Sequence, residues 1–294
     1  MPRRIAIAAI APDITLPIWA AMFRRAVLPT VDEVRVVAGS PIAEMRTLAD
    51  RELGFARIRL LDCYPSHGHE LTELCRSIEG DADVLVIESD CFVRCAPSVI
   101  REIWDRLHLF GVMGSRMARG PAEGAAFLDT FGAGLYPNMC FASLDVLRKH
   151  TSMDWTSRDG GDVGQIVGEE LHEAGLHNTS AAHLPQCRLS SYCGVQMVEP
   201  GSFKGPWLHV GEMSGIPRWG IGSPPTQRHT HSPAAVAAYA AAIESGLCRP
   251  GAELERMRGH VEWFGSQPAA QEPHYQACKR LLGRVFNEAN KERL

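Results

Sequence analysis

Apolar and polar positions alternate in blocks along the first 116 residues, where short apolar runs are separated by amphipathic segments. This alternation is typical of a parallel sheet with helices on both faces. Four or five strand-helix units are predicted, because each apolar run is nearly continuous, as a strand buried on both faces should be. The predicted strands cover residues 5–10, 34–38, 58–61, 84–87 and 111–114, and the predicted helices cover residues 16–27, 42–53, 69–78 and 97–107.

The pattern becomes irregular after this region and then turns helical. Residues 117–137 are rich in glycine and alanine, which predicts a long loop over the sheet. The following pattern predicts strands at 138–143 and 207–210, and helices at 144–150, 163–174, 233–245, 253–264 and 274–293. A glycine- and proline-rich stretch at 215–225 predicts a boundary. We therefore expect a catalytic α/β domain at 1–215, followed at 216–294 by a linker and a small helical extension.

Composition and charge narrow the class of protein. The chain has 294 residues, of which 45% are hydrophobic and 22% charged, as in an ordinary globular protein. A net charge of −4 gives no global positive field for nucleic acid or an anionic membrane surface. Nine unevenly spaced cysteines are typical of reduced thiols rather than of a disulfide framework, so we expect a cytoplasmic location.

The N-terminus resembles a secretory signal in its first residues only. Two arginines precede an apolar run, but Pro12 and Asp13 interrupt it before a hydrophobic region and cleavage site are complete. The run is better explained as the first buried strand. No stretch approaches the roughly 20 apolar residues of a bilayer span, so no transmembrane segment is expected.

The most informative motif is the acidic triplet Glu88-Ser89-Asp90, which follows an apolar strand directly. In open α/β sheets, ligands bind at the carboxyl ends of the strands, so both carboxylates face an expected crevice. Two oxygen donors one residue apart can approach one hard cation and its diphosphate, and Mg²⁺ and Mn²⁺ prefer such ligands. The alternative is a strand end with two solvated acids in a turn.

With this triplet the chain resembles the nucleotide-sugar glycosyltransferases of the A-type fold, in particular the inverting polysaccharide and glycan synthase-like class. The resemblance extends over about residues 5 to 212 and includes a helix that starts near Gly68-His69 and leads to the acidic strand end. It implies a Rossmann-like domain with a mostly parallel sheet. It also implies that Asp90 coordinates Mn²⁺ or Mg²⁺ and that Glu88 contacts the ribose or the metal. The other residues that it places at the nucleotide are Pro12, Asp13, Ser40 and Ser89.

A second acidic pair precedes the helix predicted at 163–174. Asp162 is well placed to cap that helix, a role for which aspartate ranks among the best residues. The resemblance implies instead that an aspartate at this point is the general base that deprotonates the acceptor hydroxyl in inverting enzymes. Asp162 is therefore the first candidate for the base and Asp159 the second.

His209 lies near the end of a short apolar strand, about 120 residues after Asp90. A single histidine in such a strand is more often a satisfied core residue than a ligand. In A-type glycosyltransferases a late histidine returns to the metal that the acidic motif binds. The resemblance therefore implies that His209 completes the cation site.

The resemblance thus implies a metal-dependent glycosyltransferase that moves a sugar from a nucleoside diphosphate sugar to a hydroxyl acceptor with inversion. The glycine motifs of dinucleotide-binding and P-loop enzymes and the α/β-hydrolase motif are absent from the sequence. Two alternatives remain: a nucleotidyltransferase, and a non-catalytic nucleotide-binding module. The acceptor could be a glycan, a glycolipid, a protein or a modified DNA base. DNA is considered because of basic residues in the tail, namely Arg256, Arg258, Lys279, Arg280, Arg284, Lys291 and Arg293.

Overall fold

The computed structural model describes residues 1–114, 139–157, 163–176, 207–210, 233–271 and 273–291. Its strands are β1 (Arg3–Ile10), β2 (Glu33–Gly39), β3 (Arg57–Leu61), β4 (Ala82–Ile87), β5 (Cys91–Val93), β6 (Val112–Gly114), β7 (Met139–Ser143) and β8 (Trp207–His209). Its helices are α1 (Leu16–Ala26), α2 (Ala43–Glu52), α3 (His67–Arg76), α4 (Pro97–Phe110), α5 (Leu144–His150), α6 (Gln165–Glu173), α7 (Pro233–Glu244), α8 (Ala252–Gly265) and α9 (Pro273–Lys291). Short 3₁₀ turns lie at Leu28–Thr30 and Pro268–Gln271.

Six strands form one sheet in the order β3-β2-β1-β4-β7-β6. The first four of these are parallel, whereas β7 runs antiparallel to both β4 and β6. A second, two-stranded sheet pairs β5 with β8. The fold is therefore α/β with a mostly parallel central sheet, which confirms the predicted fold class.

Helices cover both faces of the sheet, and β1 shows how the sequence divides them. Its residues Ala6, Ala8 and Ile10 belong to the apolar cluster that includes α1, α4 and α7. Its alternate residues Ile5 and Ile7, with Ala9, belong to the cluster that includes α3, α5 and α6. Because successive side chains of a strand point to opposite faces, a continuous apolar run supplies both layers of the core.

The strands and helices predicted in the first 114 residues are present, with end points that differ by a few residues. One expectation about them is wrong: β3 is not buried on both faces but is an edge strand with exposed Arg57 and Leu60. Charged residues on an edge strand discourage pairing with other chains. The strand β5 was not predicted, since three residues are too few to show a periodicity. The loop predicted at 117–137 lies outside the residues that the structure describes.

The C-terminal helices are also present, and they pack against the sheet. The alanine-rich α7 is almost wholly buried and shares the cluster of β1 and α1. Lys279 of α9 pairs with Glu244 at 2.6 Å, and the Asn290 side chain donates to the Ser245 carbonyl oxygen at 3.0 Å. The division of the chain at residue 215 stays a prediction. Within the described ranges, every helix is too short or too polar to cross a bilayer.

Candidate functional site

The acidic triplet lies at the carboxyl end of the central strand β4, as the sequence analysis expected. The chain turns after Ile87, and the Trp19 indole N–H donates to the Glu88 carbonyl oxygen at 2.9 Å. After Asp90 it continues into β5, which pairs antiparallel with β8 so that Cys91 lies opposite His209. The backbone N–H of Val210 donates to the Asp90 carbonyl oxygen at 2.9 Å. Backbone hydrogen bonds therefore hold His209 beside the acids despite the long separation in sequence.

Glu88, Asp90 and His209 form one compact group. The His209 Nε2 atom is 3.2 Å from Glu88 Oε2 and 3.4 Å from Asp90 Oδ1. One potential ligand atom from each residue lies within 4.8 Å of the others. The three side chains are 8%, 18% and 15% exposed for His209, Glu88 and Asp90 respectively. The structure thus brings together the three residues that the sequence analysis assigned to a cation.

The chemistry of this group fits a divalent metal ion. Among the described residues, the buried His209 Nδ1 atom has no hydrogen-bond partner, and the buried Asp90 Oδ1 atom makes only the long 3.4 Å contact with His209 Nε2. A buried polar atom without a partner is costly and calls for an explanation such as a ligand or ion. Two carboxylates and one imidazole provide the oxygen-rich donor set that suits Mn²⁺ and Mg²⁺. These three residues could hold such an ion.

The charges of Glu88, Asp90 and His209 interact, and this interaction affects the pKa values of Asp90 and His209. Burial alone would lower the pKa of His209, but the Asp90 and Glu88 carboxylates raise it to about 10. Burial raises the pKa of Asp90, and the nearby Glu88 raises it further, whereas His209 opposes this rise. A protonated imidazole therefore balances the charge of the two acids. A bound cation would supply the same compensation.

A fourth residue, His67, was missed as part of this site. It is the first residue of α3, and its Nδ1 atom lies 3.5 Å from Glu88 Oε1. Its Nε2 atom is buried and has no hydrogen-bond partner within the described ranges. No role was predicted for His67 from the sequence. The available signal was positional, because the helix after a parallel strand begins at the sheet edge where the strands end.

The residues predicted at the nucleotide lie at the same sheet edge, but two of their side chains are engaged by the protein. Asp13 Oδ1 accepts hydrogen bonds from the Thr15 backbone N–H and hydroxyl, both at 2.6 Å. Its Oδ2 atom accepts one from the Tyr239 hydroxyl at 3.1 Å. The Ser40 hydroxyl accepts the Ile42 backbone N–H at 3.1 Å. Asp13 and Ser40 therefore shape the loops after β1 and β2.

Asp13 should give the protein a pH-dependent stability. Burial raises its pKa from 3.8 to about 6, against the hydrogen bonds from Thr15 and Tyr239 that lower it. The folded state then holds the proton more tightly than the unfolded state, so stability falls as pH rises from 3.8 to about 6 and then levels off. We expect the melting temperature of Asp13→Asn to change less between about pH 4.5 and about pH 7.5 than the melting temperature of the parent protein does.

The comparison of Asp13→Asn with the parent protein controls for other groups that titrate in the same pH range. Burial also raises the pKa of Asp83 to about 6, so Asp83 contributes to the pH dependence of both proteins and cancels in their difference. Equal pH dependence in the two proteins would contradict the role assigned to Asp13.

The candidate bases Asp159 and Asp162 lie outside the described residues, but both flanks of their segment are described. The Gly164 N–H donates to the Trp155 carbonyl oxygen at 2.7 Å, and the Trp155 N–H donates to the Thr72 hydroxyl of α3 at 2.9 Å. Both flanks are thereby attached to the helix that carries His67. Helix α6 has Gly164, with a φ of 85°, as its N-cap. The two roles considered for Asp162, cap and base, both stay predictions.

Comparisons with known proteins add structural likenesses at low identity. No protein-family model matches the chain, and no curated protein matches it in sequence. Among solved structures, glucosyl-3-phosphoglycerate synthase from Mycobacterium tuberculosis, in complex with Mn²⁺, UDP-glucose and phosphoglyceric acid, is 18% identical with a TM-score of 0.42. That match covers 61% of this chain and 68% of the synthase.

Two further structures show a similar degree of likeness. A mannosyltransferase from Pyrobaculum calidifontis, in complex with GDP-mannose and Mn²⁺, is 14% identical, with a TM-score of 0.41 over 99% of this chain and 86% of its own. A nucleotidyl transferase from Methanothermobacter is 17% identical, with a TM-score of 0.40 over 60% of this chain and 85% of its own. At these values the likenesses do not decide between activities, and the geometry of the site carries the argument.

Proposed function

We propose that this protein is a metal-dependent glycosyltransferase that moves a sugar from a nucleoside diphosphate sugar to a hydroxyl acceptor with inversion. The observation that carries the proposal is the convergence of Glu88, Asp90 and His209, whose potential ligand atoms lie within 4.8 Å of one another. This group lies where β4 ends, next to β1 and its loop, which is where open α/β sheets bind nucleotides.

The cation that we propose is Mn²⁺, held by Asp90, His209 and Glu88. Carboxylates suit both Mn²⁺ and Mg²⁺, whereas the imidazole nitrogen favours the softer Mn²⁺. When bound, the ion would neutralise charge that develops on the departing diphosphate. The protein contributes fixed ligands, since backbone pairing of β5 with β8 sets the position of His209 relative to Asp90. It also keeps these ligands largely buried, and low exposure strengthens electrostatic interactions there.

The donor nucleotide would lie along the loops after β1 and β2. Asp13 and Ser40 hold those loops through hydrogen bonds to Thr15, Tyr239 and Ile42. Pro12 and the backbone of these loops would then form the wall against the nucleotide. The first loop also argues against a nucleotidyltransferase, because it has neither the glycines nor the arginine or lysine that would cradle a nucleoside triphosphate.

Asp162 is the proposed general base, with Asp159 as the second candidate. A base must reach the acceptor hydroxyl while that oxygen attacks the anomeric carbon. One feature supports this assignment. The described flanks of the segment are attached to α3, and the first residue of α3 contacts Glu88.

We expect Asp162→Asn to reduce sugar transfer at least about 100-fold while the donor binds with unchanged affinity, because a general base contributes to the reaction and not to donor recognition. Transfer is measured as product formation once an acceptor is known, and until then as slow donor hydrolysis. Asp159→Asn is the matched comparison. A large loss of sugar transfer in Asp159→Asn, with normal transfer in Asp162→Asn, would identify Asp159 as the base.

The acceptor stays open, and the structure weakens one reason to consider DNA. Three of the basic residues in the tail have acidic partners: Arg256 contacts Glu253, Arg258 lies 3.5 Å from Glu255, and Lys279 pairs with Glu244. Such pairing reduces the positive charge that this surface offers to a phosphate backbone.

The experiment that tests the proposal screens UDP-, GDP-, CDP- and ADP-sugars, each with and without Mn²⁺, by thermal shift and by release of the diphosphate. We expect one donor to raise the melting temperature and to be slowly hydrolysed, in both cases only with Mn²⁺. Turnover of a sugar 1-phosphate with a nucleoside triphosphate would replace the proposal with a nucleotidyltransferase. Tight Mn²⁺-dependent nucleotide binding without hydrolysis or transfer would instead indicate a binding module.

A further inference from the structure

We infer that His67 is a positioning residue that orients the Glu88 carboxylate toward the cation, an inference that rests on the proposed function. The two oxygens of Glu88 lie between two imidazoles. Oε2 is 3.2 Å from His209 Nε2, and Oε1 is 3.5 Å from His67 Nδ1. One oxygen therefore faces the group that would bind the metal, while the other faces a residue outside it.

His67 acts on the ligand and is not a ligand. Within the described part of the chain, the group of side chains able to share one ion consists of Glu88, Asp90 and His209 and does not include His67. Partners that hydrogen-bond a metal-binding carboxylate from outside fix its orientation, and their loss typically weakens metal binding 10- to 100-fold. Glutamate has more side-chain freedom to lose on binding than aspartate has, so Glu88 gains most from being held in advance.

The first turn of α3 is a firm support for this contact. The Thr72 hydroxyl donates to the Gly68 carbonyl oxygen at 2.8 Å and accepts the Trp155 backbone N–H at 2.9 Å. Gly68 packs so closely on Trp155 and Thr156 that a Cβ atom there would lie 2.7 Å from the Trp155 carbonyl oxygen. The His67 side chain is 25% exposed, and its buried Nε2 atom has no partner within the described ranges. The residue thus sits on rigid backbone and faces the site.

The test measures binding of Mn²⁺ alone, without nucleotide, to the full chain by titration followed with electron paramagnetic resonance. We expect His67→Ala to weaken Mn²⁺ binding about tenfold. His67→Asn should restore most of the affinity, because its amide nitrogen lies close to the position of Nδ1. His69→Ala is the matched control, since His69 is an exposed histidine of the same helix and should bind Mn²⁺ as the parent protein does.

Two further readouts separate positioning from other roles. Nitrogen modulation of the bound Mn²⁺ signal should be unchanged in His67→Ala and lost in His209→Ala. If it changes in His67→Ala, His67 is a ligand and the inference is wrong. The inference is also wrong if His67→Ala binds Mn²⁺ as tightly as the parent does. It is likewise wrong if His67→Asn loses as much Mn²⁺ affinity as His67→Ala does. A parent protein that binds no Mn²⁺ overturns both the inference and the proposed cation site, whereas the other results leave that site standing.

Discussion

Replacement of Asp90 by asparagine is expected to abolish Mn²⁺-dependent binding of the donor, with a loss of at least about 100-fold in affinity for the ion. Asparagine keeps the shape of the side chain but removes the negative charge and one anionic ligand. The buried Asp90 Oδ1 atom lies 3.4 Å from His209 Nε2, so this carboxylate faces the other two members of the group. Titration of Mn²⁺ into the variant, followed by donor binding at saturating Mn²⁺, measures both effects.

The folded state should survive this change. Burial raises the pKa of Asp90, which means that its charge is held at a cost in the metal-free protein. A neutral isostere removes that cost, and Glu88 remains 3.2 Å from His209 to balance its charge, so the metal-free variant should still fold. Asp50→Asn is the matched control, because Asp50 is an exposed acid of α2 and should bind Mn²⁺ normally. Full metal-dependent donor binding in Asp90→Asn would refute the proposed site.

Replacement of Gly68 by alanine is expected to have the second largest effect, on both stability and activity. The added Cβ would lie 2.7 Å from the Trp155 carbonyl oxygen and 2.8 Å from the Thr156 Cα atom, so two backbone segments must move apart. Forced overpacking of this kind typically costs about 1–3 kcal/mol. The displaced segments carry His67 and the flank of Asp159 and Asp162, so transfer should fall as well. Denaturant unfolding and the hydrolysis assay measure the two effects.

Gly259→Ala is the control for the alanine substitution itself. Gly259 lies within α8, and a Cβ atom there would meet nothing within 4 Å. Alanine in a helix is more stable than glycine by about 0.5–1 kcal/mol, so this variant should gain stability. If Gly68→Ala were as stable and active as the parent, the close packing of α3 on residues 155 and 156 would not be required for stability or activity.

The sequence predicted the central fold and the three members of the cation group for different reasons. The strands β1 and β4 each contain a continuous apolar run, at residues 5–10 and 84–87, and such runs are typical of strands buried in a parallel sheet. Glu88 and Asp90 follow β4 directly, so their position at the sheet edge is a local property. His209 was proposed only through a family resemblance. Its place beside Asp90 depends on the pairing of β8 with β5, and the three residues of β5 are too few to predict that strand.

The residues that were missed or reassigned depend on contacts that no local pattern reveals. His67 lies at the start of α3, the helix that connects β3 to β4, and it contacts Glu88 after the end of β4. The separation of the two residues in the sequence does not predict this contact. Asp13 was predicted at the nucleotide, and the structure adds that its carboxylate accepts a hydrogen bond from Tyr239, which is 226 residues away. Such hydrogen bonds form only when distant elements pack, so they follow from tertiary structure and not from propensity.

The hydrogen bond between Tyr239 and Asp13 has a consequence for how the chain folds during synthesis. Helix α7 belongs to the same apolar cluster as α1 and one face of β1, and its Tyr239 follows Asp13 by 226 residues. Until α7 emerges, that apolar face and the Asp13 carboxylate have no cover from it. Contacts between such distant residues slow folding, because a long loop must close before they form. The apolar residues that α7 covers in the folded protein are therefore exposed until residues 233–244 have been made, and transiently exposed apolar surface of this kind favours aggregation.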